Sequence, residues 1–245
     1  MHHSIFQLTE GHDVQHCTTG CKLDYVLDTE GPQTELILKT GKSCLTRGDF
    51  RTLGLTLEME STIGNACFEL IEKIAQSKGK YIFVADLYVV PTWRQPTACN
   101  PLSSFPLSIT TGFNEECSLV CFFVSFNLFF VIRETFTLGT PLLSLCGKAD
   151  ISCCLNLSQS IHPGPWKETI GLDIQGFPRQ LYGNDCGIFM LMYALYTVLN
   201  APFDFTVMDM PSLRKWWCVM LMENFDLGSH GKMFAHWTDN SKALL

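Results

Sequence analysis

Residues 178–193 read Pro-Arg-Gln-Leu-Tyr-Gly-Asn-Asp-Cys-Gly-Ile-Phe-Met-Leu-Met-Tyr. Here a cysteine, Cys186, follows a Gly183-Asn184-Asp185 turn, and an amide side chain, Gln180, stands six residues before it. A thiol that can ionise and an amide that can donate to a developing oxyanion are the parts of acyl-transfer chemistry. Gly permits positive φ, and Asn and Asp bond to nearby backbone, so the turn is well specified. The run from Ile188 to Leu199 carries no charge and no proline. Its apolar positions fall on all sides, which predicts a helix buried in a core rather than an amphipathic one. It is too short to cross a bilayer, which takes about 20 apolar residues. Cys186 is thus expected at a helix N-terminus, where free N–H groups and the macrodipole favour an anion and lower a thiol pKa. Gly187 is expected to keep the approach to the sulfur clear. A buried structural cysteine is the competing reading, since free cysteines are among the most buried residues.

The pattern Gln180-x-x-x-Asn184-Asp185-Cys186-Gly187-Ile188-Phe189 resembles the nucleophile motif of the ubiquitin-like protease family. These are the sentrin/SUMO-deconjugating cysteine peptidases, with deneddylating and viral relatives. The resemblance continues through Pro211-Ser212-Leu213-Arg214-Lys215-Trp216-Trp217 to Phe225, as the closing helix, and extends over Leu45 to roughly Trp93. It implies an α+β fold of the papain-like cysteine-protease type, with a central nucleophile helix on a mixed sheet, here incomplete. It also implies that Cys186 is the catalytic nucleophile and that Gln180 helps form the oxyanion hole. The implied reaction is cleavage after the C-terminal glycine tail of a ubiquitin-like modifier, which makes that modifier or its conjugates the expected partner. No cofactor is implied.

The chain departs from the family in its middle. The family's base is a histidine, usually followed by tryptophan, several tens of residues before the cysteine, with an Asp or Asn in between. Between Trp93 and Gln180 stands one histidine, His162, followed by Pro163 and too near Cys186. Asp150 and Asp173 are the aspartates there, and neither follows a His-Trp pair. The chain's His-Trp pair, His236-Trp237 with Asp239 beside it, comes after the cysteine. In a serine triad the loss of the histidine costs on the order of a million-fold in turnover. A helix N-terminus contributes about 0.3–1 kcal/mol at an exposed site and does not replace it. The alternatives are therefore a catalytically dead relative that acts as a binding module, or a defective translated product.

Residues 117–132 read Cys-Ser-Leu-Val-Cys-Phe-Phe-Val-Ser-Phe-Asn-Leu-Phe-Phe-Val-Ile, without a charge. Three readings compete. A membrane span falls short of the usual length. A buried strand or pair of strands suits the aromatic and β-branched content. The favoured one is that residues 97–160 are an atypical insert or replacement: Phe, Cys, Ser and Leu share pyrimidine-rich codons, so a translated non-coding tract would look like this.

The elements that must position the motif are legible elsewhere. Ile63, Ala66, Cys67, Leu70, Ile71, Ile74 and Ala75 recur at helical steps, which predicts a helix over 61–78, capped by Ser61 or Thr62, with Cys67 in the core. Residues 81–90 predict a strand ended by Pro91. Pro211 suits a helix start near Asp209, and Leu213, Trp216, Trp217, Met220 and Leu221 make an apolar face whose tryptophans are expected in the core. Leu57-Glu58-Met59-Glu60 stands where the family carries a tryptophan-bearing segment that grips the modifier's tail. The predicted organisation is a weakly ordered extension over 1–43, a protease-type domain over 44–227 and a tail over 228–245. His12, His16, Cys17 and Cys21 stand at four-residue spacings, but their order does not match common zinc patterns, and no metal site is assigned.

At 245 residues, 47% hydrophobic and 17% charged, the chain is a globular one. A net charge of −7 offers no electrostatic footprint for nucleic acid. Met1-His2-His3-Ser4 leads into polar sequence without an apolar signal region, and no membrane attachment is expected. The 12 cysteines read as reduced thiols of an intracellular protein, nuclear or cytoplasmic. Oligomeric state is left open.

Overall fold

The structure, a computed structural model, describes residues 19–89, 100, 103, 105, 117–124, 127–132, 135–139, 167–170, 177–180 and 183–223. The elements run α1 (Thr19–Leu27), β1 (Leu36–Lys39), β2 (Cys44–Thr46), α2 (Arg47–Gly54), α3 (Ser61–Ser77), β3 (Tyr81–Val84), β4 (Cys117–Val124), β5 (Asn127–Ile132), β6 (Thr135–Gly139), β7 (Lys167–Ile170), α4 (Cys186–Leu199) and α5 (Met210–Met222). A short 3₁₀ turn, Val207–Asp209, leads into α5.

The helix α4 is the axis of the core. Every residue from Gly187 to Tyr196 is buried. A helix apolar all round has to be covered on every side, and α3 and α5 pack against it while it also reaches β5. It ends at Asn200, whose left-handed backbone (φ 55°) returns its N–H to the Thr197 and Tyr196 carbonyls. Trp216 and Trp217 of α5 are buried edge to face, their ring centroids 4.9 Å apart, as expected of core residues. Cys67 is buried in α3, also as expected.

β3 to β7 form one five-stranded sheet in the order β3-β4-β5-β6-β7. It is mixed: β3–β4 and β6–β7 are parallel, β4–β5 and β5–β6 antiparallel. The charge-free stretch 117–132 is thus a pair of antiparallel strands, Val120 facing Val131 and Val124 facing Asn127. This is the arrangement that the second of the three readings expects. The segment supplies central strands of the sheet, and no helix among the described residues is long and apolar enough to cross a membrane.

Three local expectations are corrected. The strand expected over 81–90 ends at Val84, because the Asp86 carboxylate accepts from the Tyr88 N–H and its carbonyl from Val89, closing a turn. The cap of α3 is Glu60, with no side-chain bond to the helix, rather than Ser61 or Thr62. Part of the expected extension is ordered: α1 buries Val26 in the core, and β1 pairs antiparallel with β2. Two buried arginines of α2 hold this strap down. Arg47 bonds Glu35 and the Tyr25 carbonyl beneath the Tyr25 ring, and Arg51 donates to the Asp28 and Gly31 carbonyls.

Candidate active site

The site is built on the turn that opens α4. Gly183 sits at φ 86°, in the left-handed region that suits glycine. Asp185 is the N-cap residue, and its carbonyl accepts the first helical bond from Phe189 N at 2.9 Å. Its carboxylate does not cap the helix. Cys186 follows as the first residue of α4 and is half-buried.

Segment 177–180 is pinned to the same helix. Phe177 stacks on Tyr193 at 4.4 Å between centroids, and the Tyr193 hydroxyl donates to the Pro178 carbonyl at 2.7 Å. The buried Gln180 therefore lies against the turn. Its Nε2 donates to the Gly183 carbonyl at 2.6 Å. An amide carries two N–H donors, and one of Gln180's is thus given to the turn itself.

Burial raises the Cys186 thiol pKa above its ordinary value; the Gly187 backbone N–H holds it down, the Glu58 carboxylate raises it, and Arg214 and the residue's own N–H lower it. The helix N-terminus acts in the expected direction, but desolvation outweighs it, which corrects the expectation of a lowered thiol. A second correction concerns Gly187. A Cβ there would lie 2.8 Å from Met59 Cε and 2.9 Å from Met59 Cβ. The missing side chain makes room for Met59 rather than for an approach to the sulfur. Met59 also fills the space over Gly64 of α3, where a Cβ would meet Met59 Cε at 3.1 Å. Leu57-Glu58-Met59-Glu60 thus forms a wall of the site.

Arg214 is the residue that reading the sequence for chemistry passed over. It lies on α5, 2% exposed. Its Nε donates to the Asp185 carboxylate at 2.8 Å. Its terminal nitrogens donate to the carbonyls of Thr52, Leu53, Leu55, Leu57 and Asn184 at 2.6–3.1 Å. The signal was available: Arg214 stands three and four residues before Trp217 and Cys218, on the buried face of α5.

All seven histidines of the chain, His162 and His236 included, lie outside the described residues, as do Asp150, Asp173 and Asp239. So do His12, His16 and Cys17, while Cys21 is exposed on α1. Among the described residues no group of three or more His, Cys, Asp or Glu is placed to hold a metal ion.

Residues 157–228, which include Gln180, Cys186 and Arg214, match the Ulp1 protease family, C-terminal catalytic domain. The chain is similar to the Ulp1 protease family. The resemblance read from the motif is borne out. No curated protein matches the chain. Among solved structures, the Ulp1-like SUMO protease catalytic domain of Chaetomium thermophilum superposes with a TM-score of 0.68 at 15% identity, covering 93% of each chain. The yeast Ulp1 C-terminal protease domain in complex with SMT3, the yeast ortholog of SUMO, gives 0.63 at 16% identity, covering 84% of this chain and 94% of its own. The SUMO protease Ulp1 with its catalytic cysteine oxidised to a sulfenic acid gives 0.59 at 15% identity, covering 87% and 99%. The fold is the Ulp1-like, papain-type α+β fold, as expected. It takes in the middle strands as well as the matched segment.

Proposed function

We propose that this chain is a cysteine peptidase that cleaves after the C-terminal glycine tail of a ubiquitin-like modifier, releasing it from a precursor or a conjugate. Cys186 is the nucleophile. Its thiolate adds to the carbonyl carbon of the terminal glycine, and the backbone N–H groups at the start of α4 together with the Gln180 amide hold the oxyanion. Collapse expels the amine with a proton and leaves a thioester on Cys186. Water hydrolyses the thioester to the free carboxylate and restores the thiol. The observation that supports this reading is Cys186 on the first turn of a buried helix, within a segment similar to the Ulp1 catalytic domain. The partner chemistry is supported by the SMT3 complex of a structural relative. A thiol enzyme of this kind works in a reducing compartment, and we propose nucleus or cytoplasm.

The second reading is a module of the same fold that binds a modifier without cleaving it, the raised Cys186 thiol being the observation in its favour. A modifier carrying an electrophile at its C-terminus separates the two. The peptidase forms an adduct at Cys186 that Cys186→Ser abolishes, and it turns over a fluorogenic modifier-tail substrate. The module binds the modifier, forms no adduct and shows no turnover. A chain that does neither and unfolds without cooperativity is a defective translated product.

A further inference from the structure

The buried cation behind the nucleophile turn carries more than packing. Arg214 reaches two separate parts of the site at once. On one side are the Asn184 carbonyl and Asp185 carboxylate, the two residues before Cys186. On the other are the carbonyls of Thr52, Leu53, Leu55 and Leu57, which lead to Glu58 and Met59. A guanidinium is a planar fork that stays charged, so it can hold such a set in one geometry where an ammonium cannot. The segment it clamps is the one whose Met59 lies on Gly187. The start of α4 and the wall facing it are therefore set by one side chain from a third element.

We propose that Arg214 is a positioning residue for Cys186: it locks the first turn of α4 against the 52–59 wall and places a buried positive charge behind the turn that carries the sulfur. The Asp185 carboxylate is its counter-charge and sets how much of that charge the sulfur feels. The proposal rests on Cys186 being the reactive thiol. Among the described residues, the charged groups around that thiol are Glu58 from the wall, Arg214 from α5 and Asp185 beside it, and Glu58 and Arg214 act on it in opposite directions.

The test reads alkylation of Cys186 in the full chain with iodoacetamide, followed by mass spectrometry of the peptide containing that residue, across pH. This readout needs no peptidase activity, so it stands even if no modifier is ever cleaved. Arg214→Gln removes that charge and moves the inflection upward by about half a pH unit or more, so that alkylation near neutrality slows at least threefold. Asp185→Asn leaves Arg214 without its counter-charge and moves the inflection to lower pH, with alkylation about threefold faster. Opposite shifts sustain the proposal, because a general loosening of the site would carry both variants the same way. Shifts of one sign, or none, overturn it. Should Arg214→Gln fail to unfold cooperatively in urea, Arg214→Lys replaces it. An inflection kept by Lys and lowered by Asp185→Asn sustains the proposal, and an inflection raised in both overturns it. Adduct formation with the modifier probe is then read on Arg214→Lys. Loss of adduct with the inflection kept assigns the geometric half of the role to the fork. An adduct formed at the native rate overturns that half.

Discussion

Buried arginines hold both the N-terminal strap and the nucleophile turn, and the two regions differ in how far apart in sequence their partners lie. Arg47 and Arg51 reach Glu35, Tyr25, Asp28 and Gly31, within 12–23 residues along the chain. Arg214 reaches back 157–162 residues to the wall and 29–30 residues to the turn. The first set closes short loops. The second forms only when α5, α4 and the 52–57 segment are already together, so it reports on the tertiary fold and its loop-closure cost is greater. Their surroundings differ as well. Glu35, the partner of Arg47, keeps 31% of its side chain in solvent, and Asp185, the partner of Arg214, 15%. Removing one member of a buried pair leaves the other uncompensated, which makes the deep pair the more costly to break.

The largest expected effect follows from that contrast. Arg214→Met strands five backbone carbonyls and the Asp185 carboxylate, and destabilises the chain by about 3–5 kcal/mol. Arg47→Met strands fewer and shallower groups, and costs about 1–3 kcal/mol. Urea denaturation of both variants measures the gap. Equal losses would break the distinction between strap and site.

Next in size is Gly187→Ala. The new Cβ meets Met59 Cε and also the Met59 Cβ, which cannot swing away. Overpacking of about 1–3 kcal/mol exceeds the gain of up to about 1 kcal/mol in helix propensity, so a net loss is expected in the urea midpoint. Met59→Ala on the same background restores only part of it, because its own Cβ remains. Full recovery would show that the tip of Met59 alone sets the constraint.

The effect that is smallest near neutrality, and grows as pH rises, is a pH dependence that belongs to the deep region. Cys21 and Cys44 of the strap are exposed, whereas Cys67 and Cys218 are buried. Burial raises both of these thiols well above their ordinary range. Above the unfolded thiol pKa of about 8.5 the native state then holds more protons than the unfolded one, so stability falls as pH rises further. The urea midpoint should decline from pH 8 to pH 10, and Cys67→Ala with Cys218→Ala should flatten that decline. A decline unchanged in the double variant would assign it to other groups.

Several parts of this architecture were legible without coordinates. The repeat from Ile63 to Ala75 and the charge-free run after Cys186 define α3 and the core helix α4, because a 3.6-residue period and an all-round apolar surface each have one stable solution. The Gly-Asn-Asp turn before Cys186 is equally local. The charge-free middle was harder. Its β-branched and aromatic content suits strands, but β3, which pairs with β4, lies more than thirty residues earlier in sequence, and no local pattern names it. Gln180 was found by its spacing, whereas its bond to Gly183 depends on Phe177 and Tyr193 bringing segment 177–180 onto α4.

Residue order alone determined that a thiol would open a buried helix, since turn chemistry and apolar periodicity act over a few residues. Only the assembled fold decided that this thiol is desolvated, that Met59 fills the space over Gly187, and that a guanidinium from the last described helix faces the turn. Desolvation and charge pairing depend on what stands within a few ångströms in space, and here those neighbours come from segments more than a hundred residues apart in the chain.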